Sequence, residues 1–171
     1  MPAALRAASV RHPLLLAPER LVDAPLADGL IARAFGPGRF VKAAERLREG
    51  RSPLRDLSLI VWEDGAAVGC VRLWPVSIGE RPALLLGPFA VDEAFRRRGL
   101  GAALIDKACE AAADAGHTLI LLVGDQAYFG PLGFSAEPAQ RVRMPGPVDQ
   151  RRVLVRALRD GAAEGLAGDV Q

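Results

Sequence analysis

The chain has 171 residues, half of them apolar and a quarter charged, the usage of a globular domain long enough to bury its own core. Its 22 basic and 20 acidic residues leave a net charge of +2, too even a balance to point to a nucleic-acid or membrane partner. Two cysteines, Cys70 and Cys109, and two histidines, His12 and His117, argue against a disulfide framework and a metal centre, and no apolar run reaches the length of a membrane span.

Residues 1–12 read as a frayed leader. Leu14 to Ala17 reads as a first strand, ended by Pro18, and is too short an apolar run for a signal peptide. With both cysteines read as buried thiols, this predicts a cytoplasmic protein. Asp23 is placed to cap a helix with Pro25 in its first turn; Ala27, Leu30, Ile31 and Ala34 share one face of it. Gly36-Pro37-Gly38 breaks that helix. Phe40, Ala43, Ala44 and Leu47 mark a second one, ended by Gly50 and Pro53. Leu57 to Glu63 and Ala67 to Val76 are strands joined by Asp64-Gly65, a strong hairpin signal. After a turn at Gly79-Glu80, Ala83 to Val91 reads as a buried strand.

A long helix follows, with Leu100, Leu104, Ala108, Ala111 and Ala115 on one stripe and Asp106, Glu110 and Asp114 on its solvated face; Gly116 ends it. Thr118 to Val123 is a short apolar strand and Tyr128 to Leu132 a short helix. Arg141 to Met144 and Arg151 to Leu158 read as two last strands around a Pro-Gly-Pro turn, before a Gly/Ala-rich flexible tail. The order β-α-α-β-β-β-α-β-α-β-β predicts a mixed α/β sheet, mostly antiparallel, with one parallel pair and helices on its faces. The whole chain, 1–171, reads as one domain with a core at about 14–158.

The segment from Leu84 to Ala102 carries the chemistry. An apolar strand runs into Arg96, Arg97 and Arg98, and then Gly99-Leu100-Gly101-Ala102 opens the long helix. A helix start presents unpaired N–H groups and a positive dipole end. Glycines let a ligand approach the backbone, and arginines add charge-assisted donors, so the whole is a cradle for a diphosphate-sized anion. A Walker loop is excluded, because neither Gly-Lys-Ser nor Gly-Lys-Thr occurs. A dinucleotide fingerprint is excluded because Leu104 fills its third glycine position. Gly87 and Pro88 interrupt the preceding strand and predict a bulge that splays it from the strand at Thr118–Val123, opening a slot where an extended, amide-bearing ligand pairs as a false strand.

Arg96, Gly99 and Gly101 satisfy R-x-x-G-x-G/A, which resembles the coenzyme A signature of the GNAT N-acetyltransferase superfamily, most closely a bacterial branch of predicted N-acetyltransferases. The segment from Gly124 to Gly133-Phe134 is similar to that family's fifth-strand end and short fourth helix, and Glu93 departs from it where the family often has proline. The resemblance implies a six- to seven-stranded sheet with a splayed fourth and fifth strand, acetyl-CoA or another acyl-CoA as cosubstrate, and no metal. It implies transfer of the acyl group to a primary amine, on a small molecule or a protein, by direct attack. It puts the cofactor at Phe89, Ala90, Val91, Arg96 to Ala102 and Phe129, with the backbone of Phe89 and Val91 along the pantetheine. The tyrosine that protonates the leaving thiolate usually stands four residues before the glycine, which is Phe129 here. Tyr128, one place earlier and about 100° round a helix, is the candidate acid.

Asp125 is the candidate base, with Glu63, Glu80 or a water chain as alternatives. Trp62, Trp74 and Phe35 read as core, or as a substrate wall. The resemblance has the acceptor site set by the first two helices and the loop near Pro145–Val148. Two other classes stay open at this point: a non-catalytic acyl-CoA sensor, and an RNA-associated protein using the arginine triplet and the segment Arg141–Arg159. The sequence lacks the interleaved aromatics of the latter.

Overall fold

The computed structural model describes residues 13–38 and 42–171, so the leader expected at 1–12 and the Phe40 start of the second helix lie outside the described residues. The strands are β1 (Leu15–Pro18), β2 (Leu59–Glu63), β3 (Ala66–Ile78), β4 (Arg81–Val91), β5 (Leu119–Val123), β6 (Val142–Arg143), β7 (Val153–Ala157) and β8 (Gly168–Asp169). The helices are α1 (Ala24–Phe35), α2 (Ala43–Arg46), α3 (Leu100–Asp114) and α4 (Gln126–Phe129). Six strands form one sheet in the order β1-β2-β3-β4-β5-β7. Within it only the β4–β5 pair is parallel. The mixed, mostly antiparallel sheet expected from the sequence is therefore the observed architecture.

Local chemistry sets the hairpins. Glu63 faces Ala66 across a two-residue loop. Asp64 and Gly65 both take positive φ, 50° and 79°, as the twist of a two-residue hairpin requires. Alternation along the strands then sorts side chains onto two faces. Leu73 and Leu84 join Leu104 and Ala108 of α3 on one face. Trp74, Val76 and Leu85 bury the other face against Leu47, Val142 and Leu166, and α1 covers Ile60, Cys70 and Ala90 beside them.

Four local expectations are corrected. Asp23 does not cap α1; its carboxylate accepts from the backbone N, Nε and Nη2 of Arg20, each at 2.9 Å. The second helix is a single turn, α2, because Gly50 and Pro53 follow closely and deny it length. Of the two last strands only β7 joins the main sheet; β6 leaves it and pairs in parallel with β8. The tail is not loose. Gln171 exchanges backbone hydrogen bonds with Ser77 at 2.9 and 3.1 Å, and Leu166 and Val170 are buried against the sheet. Two apolar residues in a small-residue segment suffice to dock it, because the face of Trp74 and Ile78 would otherwise be wet.

Candidate active site

The interruption at Gly87-Pro88 does what its residue types predict. Val71 pairs with Phe89 and Leu73 with Leu86, so two residues of β4 oppose Arg72 alone. Trp74 anchors the bulge by donating its indole N–H to the Gly87 carbonyl at 2.6 Å. On the other edge, β4 pairs with β5 only at Leu84–Ile120 and Leu85–Leu121. Beyond those pairs the two parallel strands part. A cavity of about 960 Å³ occupies the opening, walled by Leu86 to Val91 on one side and Leu122 to Asp125 on the other. It reaches both faces of the sheet: Gly99, Gly101 and Ala102 of the α3 start line one end, Phe35, Ala43 and Arg48 the other.

The α3 end is an open helix N-terminus. Gly99 takes φ 77° as the N-cap and has no side chain to cap with; the first backbone acceptor used is its own carbonyl, by Ala103 N–H at 3.1 Å. The N–H groups before Ala103 thus face outward beside the cavity. Arg96 and Arg97 line it; Arg96 Nε also donates to the Val91 carbonyl at 3.3 Å, which folds the loop onto the end of β4. Arg98 turns elsewhere, its guanidinium 4.8 Å over the Phe95 ring, and the Leu100 side chain belongs to the core.

Gly101 has no room for a side chain. A Cβ there would stand 2.6 Å from the Tyr128 hydroxyl and 2.9 Å from the Phe89 ring. This close approach brings the phenol to the first turn of α3. Phe89, Tyr128, Phe129 and Phe134 form a chain of tilted and edge-on rings, with centroids 4.9 Å apart for Tyr128–Phe129 and 6.0 Å for Phe129–Phe134. Phe129 packs inward onto Gly124, whose missing Cβ leaves space for that ring. The tyrosine hydroxyl thus stands at the start of α3 and the phenylalanine ring against the core. Partial burial holds the Tyr128 phenol above its ordinary pKa, so the group is a neutral donor.

Asp125 lines the cavity, and its Oδ1 caps α4 by accepting from Ala127 N–H at 2.9 Å. Neither Glu63 nor Glu80 reaches the cavity wall. Among the aromatic candidates Trp74 is core, Trp62 packs beside α1, and Phe35 is an exposed wall residue. The wall also contains residues the sequence reading passed over: Lys42, Arg48, Asp149 and Arg152. They come from segments far apart in the chain, and no local pattern marks them. Pro147 and Val148 sit beside them, in the loop the sequence pointed to. Among the described residues no group of three potential ligands could hold a metal ion, and no helix is long and apolar enough to cross a membrane.

The chain whose fold opens this cavity is similar to known proteins. The model of the acetyltransferase (GNAT) family matches residues 30–134. The uncharacterized N-acetyltransferase YhbS of Escherichia coli K12 is 29% identical over 161 residues, 92% of this chain and 95% of that protein. The crystal structure of Escherichia coli YhbS in complex with CoA superposes with a TM-score of 0.79 at 28% identity, covering 92% of this chain and 88% of that one. A GNAT family acetyltransferase from Brucella melitensis in complex with acetyl-CoA gives 0.69 at 25% identity, covering 93% and 95%.

Proposed function

The chain belongs to the acetyltransferase (GNAT) family and is a coenzyme-A-dependent N-acyltransferase acting on amines; we propose that it transfers acetyl to a primary amine by direct attack within the β4–β5 slot. One observation carries the assignment of the site: the parallel pair opens after two residue pairs directly beside a helix start where Gly101 admits no Cβ. That arrangement fits the pantetheine and diphosphate of acetyl-CoA, with backbone amides of β4 beside the former and the α3 N-terminus, Arg96 and Arg97 at the latter. Ala90 and Phe129 complete the wall there. When bound, acetyl-CoA supplies an acyl group activated as a thioester.

The chain's own groups supply the rest. The unpaired edge of β4 from Leu86 to Val91 offers backbone N–H groups for the negative charge that develops on the carbonyl oxygen. Asp125 keeps Oδ2 for the proton of the attacking amine while Oδ1 holds the α4 cap. Tyr128, neutral and at the α3 start, gives its proton to the departing sulfur. In the balance, an N–C bond forms, a C–S bond breaks, one proton leaves nitrogen and one reaches sulfur, giving an amide and a free thiol. Free, buried cysteines support a reducing, cytoplasmic setting. Three arginines of the C-terminal segment are paired with carboxylates, Arg143 with Asp169, Arg151 with Asp149 and Arg156 with Asp106, and Arg152 lines the cavity, which leaves less of an RNA-binding face. Calorimetric titration with acetyl-CoA, with ATP and NAD as controls, tests the reading: micromolar binding of acetyl-CoA alone is expected, and equal or absent binding of all three overturns it.

A further inference from the structure

The half of the cavity away from the α3 start is positively charged. Three cationic side chains line it, Lys42, Arg48 and Arg152; Asp125 stands at the β5 end of the opening, and the one further carboxylate on the cavity wall is Asp149. That carboxylate is already satisfied. It accepts from Arg151 N and Nε at 3.1 Å and from Nη2 at 2.9 Å, and these hydrogen bonds, with the nearby charges of Arg151 and Arg152, hold it below the ordinary carboxylate range, so it stays charged and engaged. Arg48 is mostly buried and is oriented by Glu45, which accepts from its Nη1 at 3.0 Å; its Nη2 lies 3.1 Å from where a Gly87 Cβ would stand, beside the bulge. Lys42 stands with Nζ 5.3 Å over the Phe35 ring.

Arg152 is held at the opening itself. Its carbonyl accepts from Gly124 N–H at 2.9 Å, and its Nε donates back to the Gly124 carbonyl at 3.4 Å. Both contacts fix it at the end of β5, one residue before Asp125. No hydrogen-bond acceptor among the described residues takes its two terminal nitrogens, and the residue lines the cavity, so its guanidinium fork is left for a ligand. The walls between these charges are apolar, from Ala34, Phe35, Ala43, Pro147 and Val148. In such a setting a charge on the ligand is felt strongly, and a second cationic group on the acceptor would be repelled.

We infer that the acceptor is an amine that also carries an anionic group, a carboxylate or a phosphate a few atoms from the nitrogen, read by Arg152 with Lys42 and Arg48. The inference rests on the acetyl-transfer reading of the slot. It excludes polyamines and lysine-rich peptides as preferred acceptors, because those bring positive charge to a positive wall.

The test uses the full chain, acetyl-CoA and matched amine pairs: glycine, β-alanine and 4-aminobutyrate against their amides, and aminoethyl phosphate against ethanolamine. The anionic member of a pair is expected to have kcat/KM higher by roughly tenfold to a hundredfold, the scale of a lost charge-assisted hydrogen bond. Arg152→Gln should bring the anionic members down toward the neutral ones, and Arg152→Lys should restore part of the difference. The same pairs are also titrated calorimetrically into the CoA-saturated chain, so that a panel without turnover still decides. Equal kcat/KM and equal binding within every pair, or a preference untouched by Arg152→Gln, overturns the inference. Failure of the chain to bind acetyl-CoA instead overturns the acetyl-transfer reading, and titration of the pairs into the unliganded chain then reads the anion site alone.

Discussion

The hydroxyl of Tyr128 and the backbone of Gly101 share one contact, with the phenolic oxygen 2.6 Å from where a Gly101 Cβ would stand. The residue proposed to open the helix to a diphosphate and the residue proposed as the acid therefore depend on the same missing side chain. Gly101→Ala must push Tyr128 or Phe89 aside. It is expected to raise the dissociation constant for acetyl-CoA roughly tenfold by closing the cradle, a loss of about 1.4 kcal/mol. Gly101→Glu should abolish binding while the chain stays folded, at a cost in stability of about 1–3 kcal/mol for displacing those rings. Calorimetry beside thermal melting checks both, and undiminished binding in the glutamate variant removes the main support for the site.

Tyr128→Phe keeps the ring contacts to Phe89 and Phe129 and removes only the hydroxyl. If the phenol is the acid, kcat falls by roughly a hundredfold while KM for acetyl-CoA and stability barely move. The phenol pKa is raised by burial, so the group is protonated below its ordinary value of about 10 and stays so above it. The acid therefore contributes no alkaline fall in rate below pH of about 10. A wild-type profile that falls by pH 9, with the fall absent in Tyr128→Phe, would contradict this.

Asp125→Asn preserves the cap on Ala127, since an amide oxygen accepts as a carboxylate does. Stability should stay within about 0.5 kcal/mol. Loss of a proton acceptor should lower kcat by roughly a hundredfold. An unchanged rate would mean that the amine proton leaves to water.

The two cysteines should be unreactive in the folded chain. Burial pushes the Cys70 thiol up to about 12 and the Cys109 thiol up to about 11. Only the thiolate attacks an alkylating reagent, so at pH 8 roughly one part in a thousand or less of either is reactive even before access is counted. Labelling with iodoacetamide should require denaturant; stoichiometric labelling of the native chain would contradict the burial.

The docked tail should matter to stability. Leu166 is 2% exposed in a cluster with Trp74, Ile78 and Val170. Leu166→Ala is expected to destabilise by about 2–4 kcal/mol in urea unfolding. A loose tail would give almost no change.

Much of this was legible from residues alone because it is local. Asp64-Gly65 forces a two-residue turn wherever it sits between strands, and Gly87-Pro88 cannot continue a regular ladder. Gly99 and Gly101 open the start of α3 whatever surrounds the helix, because neither brings a side chain to its first turn. What failed to show was set by competition between partners, near in sequence for Asp23 and further off for β6. Asp23 was free to cap until Arg20 claimed it. β6 had the pattern of a sheet strand, but β7 took the place beside β5.

The sequence by itself determined the bulge in β4 and the glycine-opened start of α3, since both follow from backbone restrictions and hydrogen-bonding capacity within about fifteen residues. Only the tertiary structure decided which aromatic ring reaches α3, which charges stand round the acceptor and that the tail is part of the core. Those outcomes depend on through-space neighbours: Tyr128 on Gly101, Arg152 on Gly124, and Leu166 on the sheet face that includes Trp74. Burial and Coulomb interactions act on distances between side chains, and chain order alone does not contain them.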